Sequence, residues 1–585
     1  MKNTMSGRSR VAAFVAVSIA VVGGTAATTT APAQSAPGDA CLPAFPIAGL
    51  PGLPDDTVFS GLTVSEGTTP EPFTGDYIGI IEDGIAPGLD MVMMELSSDA
   101  LTQAGGIWQG MSGSPVYTPD GDLVGAVAYG LSFGPSPIAG ITPFEEMDDY
   151  LPAPAAGRVA VPHATARKIA AATDVTAAQA AEGFRQIRMP MGVSGVTGRR
   201  MDGLVDRPRY QKRSYLPKST YPMGAAAAPG EGAGPETIVP GGNLAAAASY
   251  GVVTQGGVGT VTSVCDDGVV GFGHPASFLG NTSMTMHPAE AVYVQPDSMG
   301  APFKVANLGA PAGTIDGDHM SGISGTLGAT PELTDVSSTV SFQDRSRNGT
   351  SHVSILDAAA STTFLTSIAM HDRVIDGITG GSELLTASIA GTTAAGRPFD
   401  IQLTDRYATT SDITFEAPWE IADLVWYLSM LQSITIEDVS MDSAVDEDSS
   451  TWRVGAIEQK RDGRWVKVGK GKQVIAQAGK TLKVRAVLTG AGGAVTRVPL
   501  SFNVPKKASG RRAHLSVVGG AWTWSEGSVG SVAAIEKMVA GMTRNDAVEG
   551  NLFIDSGRRG LERRDVSAPT AKVVHGQKGV PVRVR

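Results

Sequence analysis

Short apolar runs broken by turn residues dominate the chain. Phe59 to Val64, Tyr77 to Ile81 and Met91 to Leu96 carry the length and β-rich content of strands, with Pro87-Gly88 as a turn ahead of the last. The pattern continues from Gly106 to Gly130, where Pro115-Val116-Tyr117 and Leu123 to Val127 flank Pro119-Asp120-Gly121-Asp122, a hairpin signature. A β unit is therefore expected to end near Pro152. Residues His163 to Ile187 are alanine-rich with spaced charges and predict a helix or helix pair. Strand signals return from Ala245 to Phe342, and Ser354 to Thr379 is mixed, with helical character. Beyond Asp438, Trp452-Arg453-Val454, Trp465 to Val468 and Leu482 to Leu488 alternate between glycine-rich turns, as a separate all-β module would. Near its end Val532, Ile535, Met538, Val539 and Met542 form an apolar stripe at helical spacing, with Ser531 as N-cap, and predict a core-packing helix.

Composition supports a turn-rich, mainly β chain. Glycine takes 73 of 585 positions and proline 36, while a hydrophobic share of 42% supplies enough apolar surface for real cores. The formal charge of -11 argues against a general polyanion or nucleic-acid binder. Lys2, Arg8 and Arg10 precede an apolar run from Val11 to Val22 and then small residues, so residues 1–36 read as a secretory signal too short to span a bilayer. A secreted or cell-envelope product follows, with no transmembrane segment once the signal is removed. In that oxidising setting the two cysteines, Cys41 and Cys265, are expected to pair. Arg199 to Lys218 holds seven basic residues against Asp202 and Asp206, and Gly224 to Gly234 is nearly all Ala, Gly and Pro. Together they read as a solvated flexible linker, with polyanion binding or a self-processing site in the basic patch as the functional alternative. The tail from Ser556 to Arg585 has eight basic residues against Glu562 and Asp565, suited to touching an anionic cell-wall polymer.

One segment carries chemistry: Gly105-Gly106-Ile107-Trp108-Gln109-Gly110-Met111-Ser112-Gly113-Ser114-Pro115-Val116. A serine between glycines allows a tight turn that presents its hydroxyl and aims successive N–H groups at one point. With Ser112 as nucleophile, the oxyanion donors are the N–H groups of Gly110 and Ser112. Ser114 is the rival, but the Gly-x-Ser-Gly-x-Pro pattern of chymotrypsin-like proteases puts the nucleophile at Ser112.

Gly105 to Val127, together with Ala139-Gly140-Ile141-Thr142-Pro143, resembles the serine-peptidase segment of the stage IV sporulation protein B family. Gly257 to Thr262 leading to Gly271-Phe272-Gly273-His274 resembles that family's histidine segment, and Gly313-Thr314-Ile315 with Gly322-Ile323-Ser324-Gly325 gives a weaker third match. The resemblance implies a trypsin-like double β-barrel serine endopeptidase with Ser112 as nucleophile and His274 as general base. Its two halves stand in exchanged order, since His274 follows Ser112, and the family's peptide-binding module has no counterpart here. Alignment places the third triad member near Ser97, which selects Asp99 and leaves Asp90, Asp316 and Asp318 open. His287 and His319 are lesser alternatives to His274. The expected organisation is a signal (1–36), a serine-bearing β half (37–155), a helical segment and flexible linker (156–235), a histidine-bearing β half (236–345), a mixed connection (346–437) and a C-terminal β-sandwich-like domain with a basic tail (438–585). No His-Glu-x-x-His, phosphate loop or dinucleotide motif occurs, so no metal or cofactor is expected, and the expected partner is a protein or peptide substrate. The competing reading is a catalytically inactive scaffold on the same fold.

Overall fold

Pairing of its first and fourth strands closes the first β unit into a barrel. The computed structural model describes residues 43–585 apart from 133, 148–160, 173–174, 188–190, 216–219, 298–300, 432–433, 524–528 and 556–559. The expectations for residues 1–36 and Cys41 lie outside the described residues. The chain is mainly β, 48% strand and 19% helix, and holds two six-stranded antiparallel β-barrels.

The first barrel is built from β1 (Val58–Thr63), β2 (Glu71–Ala86), β3 (Leu89–Ser97), β4 (Pro115–Tyr117), β5 (Leu123–Leu131) and β6 (Ile138–Pro143). Its strands run β1-β2-β3-β6-β5-β4 around the wall, and β4 pairs again with β1. A short helix α1 (Asp99–Ala104), N-capped by Ser98, precedes the serine segment. The expected hairpin forms, with Thr118 N–H on Asp122 O at 2.9 Å and Gly121 at φ 92°. Helices α2 (His163–Ala172) and α3 (Ala177–Ala180) then lead to β7 (Phe184–Gln186), which lies on β5 outside the closed barrel.

After β8 (Met191–Val193), α4 (Gly198–Val205), α5 (Pro208–Gln211) and β9 (Tyr221–Pro222), the second barrel begins. It comprises β10 (Asn243–Gly251), β11 (Gln255–Cys265), β12 (Gly268–Gly271), β13 (Gly280–Gln295), β15 (Gly313–His319) and β16 (Gly322–Leu327), with β14 (Phe303–Leu308) added on β13. The wall order is β10-β11-β12-β16-β15-β13, closed by β13 on β10. Numbered within each barrel, both walls read 1-2-3-6-5-4. Ser112 and His274 therefore occupy the same connection, between third and fourth strands, of two barrels with one topology.

The remaining strands β17 (Thr334–Phe342), β18 (Arg345–Val353), β19 (Gly381–Thr393), β20 (Pro398–Thr409) and β21 (Ile434–Asp446) extend the second barrel's sheet through β10–β18 pairing. They are covered by α6 (Leu356–Ile375) and α7 (Pro418–Ser429). Two five-stranded sheets follow, from Trp452 to the C-terminus, and share one hydrophobic cluster that includes Val484, Leu500, Leu515 and Leu552.

Four expectations need correction. The boundary drawn at 438 cuts β21, which pairs with β17 and β19 and so belongs to the large sheet. The basic stretch is no solvated linker over its described residues: α4 and α5 dock on α6 and α7, Arg200 between Asp372 and Asp412, Arg209 and Arg213 on Asp423. Arg209 and Arg213 also stack over Trp419 and Trp426 at 5.0 and 4.9 Å. Charge and ring faces together supply what a short helix lacks in propensity. The Gly/Pro segment after it is likewise tied down, by Ala227 N–H on Leu308 O at 2.9 Å. The basic tail folds into strands Leu561–Val566 and Gln577–Val584 of a five-stranded sheet. The apolar stripe after Ser531 forms α8 (Val532–Gly541), with Ser531 Oγ accepting from Ala534 N–H, but it packs into the core of the large sheet instead of its own module.

The barrels meet through backbone. Thr260 N–H donates to Ser112 O at 2.8 Å, Thr260 and Thr262 hydroxyls donate to Gly110 O and Gly113 O, and Thr142 Oγ1 donates to Gly273 O at 2.6 Å. A Cβ on Gly113 would lie 1.9 Å from Thr260 O and 2.5 Å from Phe272 N, at φ 98°. Overpacking a backbone contact and forcing a left-handed φ add up, so Gly113→Ala is expected to destabilise the protein by about 3 kcal/mol or more. Differential scanning calorimetry checks this; an unchanged melting temperature would show that the barrels are not held together here.

Candidate active site

The serine segment folds as two consecutive turns. Met111 N–H bonds to Trp108 O at 3.1 Å and Ser114 N–H to Met111 O at 3.0 Å, and the third residue of each turn is a glycine with positive φ, Gly110 at 95° and Gly113 at 98°. Gln109 N–H is taken by Pro302 O and Gly113 N–H by Val127 O. The intervening N–H groups of Gly110 and Ser112 have no acceptor among the described residues, although both residues are buried. Buried backbone donors are nearly always paired, so two free ones in one turn mark a place prepared for an oxygen.

The two serines of the segment separate clearly. Ser114 Oγ donates to Met111 O at 2.6 Å and contacts Thr63 Oγ1 at 2.9 Å, a structural use. Ser112 Oγ is fully buried and has no hydrogen-bond partner among the described residues.

His274 follows a strained turn. Phe272, packed against the serine turn, has φ 71°, and Gly273 N–H closes a γ-turn on Gly271 O at 2.9 Å. A Cβ on Gly273 would lie 3.0 Å from both Ala126 and Ala128 Cβ, so the histidine turn sits on β5, the same strand that holds Gly113 through Val127. The imidazole is fully buried. Its Nδ1 lies 2.8 Å from Pro275 O and 2.8 Å from Gln186 Nε2, while Nε2 has no partner among the described residues. Ser112 Oγ and His274 Nε2 are thus not bonded to each other. Burial pushes the His274 pKa down to about 4, with the Pro275 carbonyl acting the other way.

Asp99 is not brought to His274. It is exposed in the first turn of α1, where an acidic residue favours the helix N-terminus. Asp90 accepts from Asp83 N–H in the β2–β3 hairpin, and Asp316 is exposed. Asp318 is the carboxylate behind the histidine loop. Fully buried, it accepts from Ala276 N–H at 2.7 Å, Ser277 N–H at 2.9 Å and Leu279 N–H at 3.1 Å. Burial raises its pKa while the three N–H groups pull it back. A register shift between Ile315 and Gly317 breaks the alternation of β15, so Asp318 faces inward though Asp316 does not. His287 has both ring nitrogens engaged, on Gly309 O and Thr285 Oγ1, which makes it a structural residue.

Lys304 is a site residue that the sequence reading missed. It is fully buried, its backbone N–H bonds to Gln109 O, and its stem covers Gly110, where an added Cβ would lie 2.9 Å from Lys304 Cβ. Its Nζ donates to Asn243 Oδ1 at 2.7 Å. Burial draws its pKa down to about 7, with Glu71 opposing. The signal was available: in β14 Ala306 and Leu308 face inward, and period-2 spacing puts Lys304 on the same face.

Cys265 is disulfide-bonded, and the chain's other cysteine is Cys41. Among the described residues no group of three or more His, Cys, Asp or Glu is placed to hold a metal ion, and no helix is long and apolar enough to cross a membrane. Compared with known proteins, the chain matches no family model, no curated protein and no solved structure.

The buried histidines make a pH prediction. His274 and His287 both have folded pKa values lowered to about 4 from 6.5, so the unfolded chain binds more protons between those values. Stability is therefore lost as pH falls from 6.5 towards 4, by about 1.4 kcal/mol per pH unit for each histidine. Urea midpoints across that range check this, and His274→Asn should flatten the slope; an unchanged slope would mean that His274 reaches solvent.

Proposed function

We propose that this protein is an exported serine peptidase of the trypsin-like double-barrel kind, with the serine and histidine barrels in exchanged order and a C-terminal β-sandwich-like domain. The observation that carries the reading is the serine turn: a buried, unpartnered Ser112 hydroxyl beside two unpartnered N–H groups, on the strand that also supports the His274 turn. The resemblance of the three segments to the stage IV sporulation protein B family supports it further, because Thr142, Thr260 and Thr262 of those segments tie the serine and histidine turns together.

In this reading Ser112 Oγ attacks a peptide carbonyl carbon and its proton passes to His274 Nε2. The Gly110 and Ser112 N–H groups hold the oxyanion, and His274 returns the proton to the leaving amine. Water then hydrolyses the acyl-enzyme. We give the supporting carboxylate role to Asp318 in place of Asp99. It acts as a positioning residue, holding the loop after His274 through three N–H groups. Reaction requires the imidazole to turn its bare Nε2 towards Ser112.

The absence of a bond between Ser112 and His274 favours the second reading, an inactive scaffold on the same fold. A fluorophosphonate probe decides between them. A peptidase labels at one site, Ser112→Ala abolishes labelling, and His274→Ala slows it at least about 100-fold. Labelling that survives Ser112→Ala removes the nucleophile assignment, and no labelling of the folded protein under any condition favours the scaffold.

A further inference from the structure

Along one edge of β5 the hydrogen-bond stations form a continuous series. β4 pairs with β5 as far as Ala126. Val127 then holds the serine turn, taking Gly113 N–H at 2.8 Å and giving its own N–H to Ser114 O at 2.9 Å. The next station, Ala128 O, accepts from Ile187 N–H at 2.8 Å, and Tyr129, Gly130 and Leu131 pair antiparallel with Gln186, Arg185 and Phe184 of β7. An extended segment of this chain thus runs along β5 straight towards the serine turn, and Ile187 occupies the station beside Gly113.

Three further observations distinguish this segment from an ordinary added strand. It lies outside the closed barrel and, among the described residues, pairs with β5 alone. Its residues Arg185, Gln186 and Ile187 border a cavity of about 250 Å³ whose other wall includes Ile107 and Gln109 of the serine segment. Its Gln186 side chain is spent on the histidine: the amide nitrogen lies 3.0 Å from Pro275 O, which fixes it as a donor, and 2.8 Å from His274 Nδ1. Nδ1 lies 2.8 Å from the same Pro275 O, a carbonyl that only accepts, so the Gln186 amide and the imidazole converge on one oxygen and the segment is tied to the histidine loop.

We propose that Phe184–Ile187 is an intramolecular ligand of the peptide-binding edge of β5, occupying it as the acyl side of a substrate would and tied to the histidine loop through Gln186. This rests on the peptidase reading above. Phe184, fully buried among Tyr129, Leu131 and Ile169, fastens one end of the segment. Main-chain bonding along a strand edge is indifferent to side chains, so selectivity falls to the positions whose side chains meet pockets. The competing ligand is accordingly an extended peptide with a branched aliphatic residue opposite Ala128 and an amide side chain before it. Such a peptide is excluded while the chain's own segment is in place.

Two full-length variants test the proposal. Ile187→Pro removes the N–H that bonds Ala128 O, and Gln186→Ala removes the segment's side-chain tie to Pro275 O without touching the backbone. Fluorescein-labelled Gly-Phe-Arg-Gln-Ile, followed by fluorescence anisotropy, should bind Ile187→Pro at least tenfold more tightly than wild type. Fluorophosphonate labelling of Ser112 should be at least tenfold faster in Gln186→Ala than in wild type. Equal peptide affinity, or no binding to a folded Ile187→Pro, overturns the proposal, as does an unchanged labelling rate in Gln186→Ala when wild type labels. A tenfold peptide difference with no labelling of any variant supports the occupied groove and refutes the peptidase reading instead.

Discussion

The contact on which the rest depends is the backbone of the Ser112 turn wedged between two barrels. Gly113 has no side chain because Thr260 O and Phe272 N occupy the space a Cβ would take, and its N–H is drawn to the other side by Val127 O. A turn fastened on both sides cannot relax to satisfy its remaining donors. The free N–H groups of Gly110 and Ser112 follow from that constraint, and so does the isolated Ser112 hydroxyl. Buried polar groups left unpaired cost on the order of 1–3 kcal/mol each, so a fold that keeps several at one junction has a use for them.

The same junction accounts for the histidine. Two barrels of identical strand order place their third-to-fourth connections in corresponding positions, one carrying Ser112 and the other His274. β5 supports both, through Val127 on one side and through Ala126 and Ala128 on the other. Asp318 enters from the fifth strand of the histidine barrel and fixes the loop after His274 from behind. Lys304 backs Gly110 in the same manner, its buried stem packed against that glycine. Electrostatics and packing thus converge on one seam, while the C-terminal sheets keep a separate core.

The barrel strands, the Pro119–Asp122 hairpin and the Ser531-capped helix were legible because each is decided within a few residues, by alternation, turn chemistry or a cap. Other features were not. The basic stretch after Gly198 looks solvated by composition, yet its cations find Asp372, Asp412 and Asp423, between 150 and 230 residues downstream. β7 falls inside an alanine-rich stretch that reads as helix to its end, and only pairing with β5 makes residues 184–186 a strand. Asp99 was chosen by alignment with the resembled family near Ser97, whereas the carboxylate near His274 arrives from the next barrel strand but one.

The glycine-framed Ser112 and the Gly-Phe-Gly-His turn are properties of the sequence itself, because tight turns with positive φ demand glycine and leave that demand written in the chain. Tertiary structure alone decided which groups meet there. It paired Ser114 and isolated Ser112, turned Asp318 inward through a strand irregularity, buried Lys304, and laid Phe184–Ile187 along β5. Those outcomes depend on strand register and barrel closure, which join residues far apart in the chain and leave no local signature.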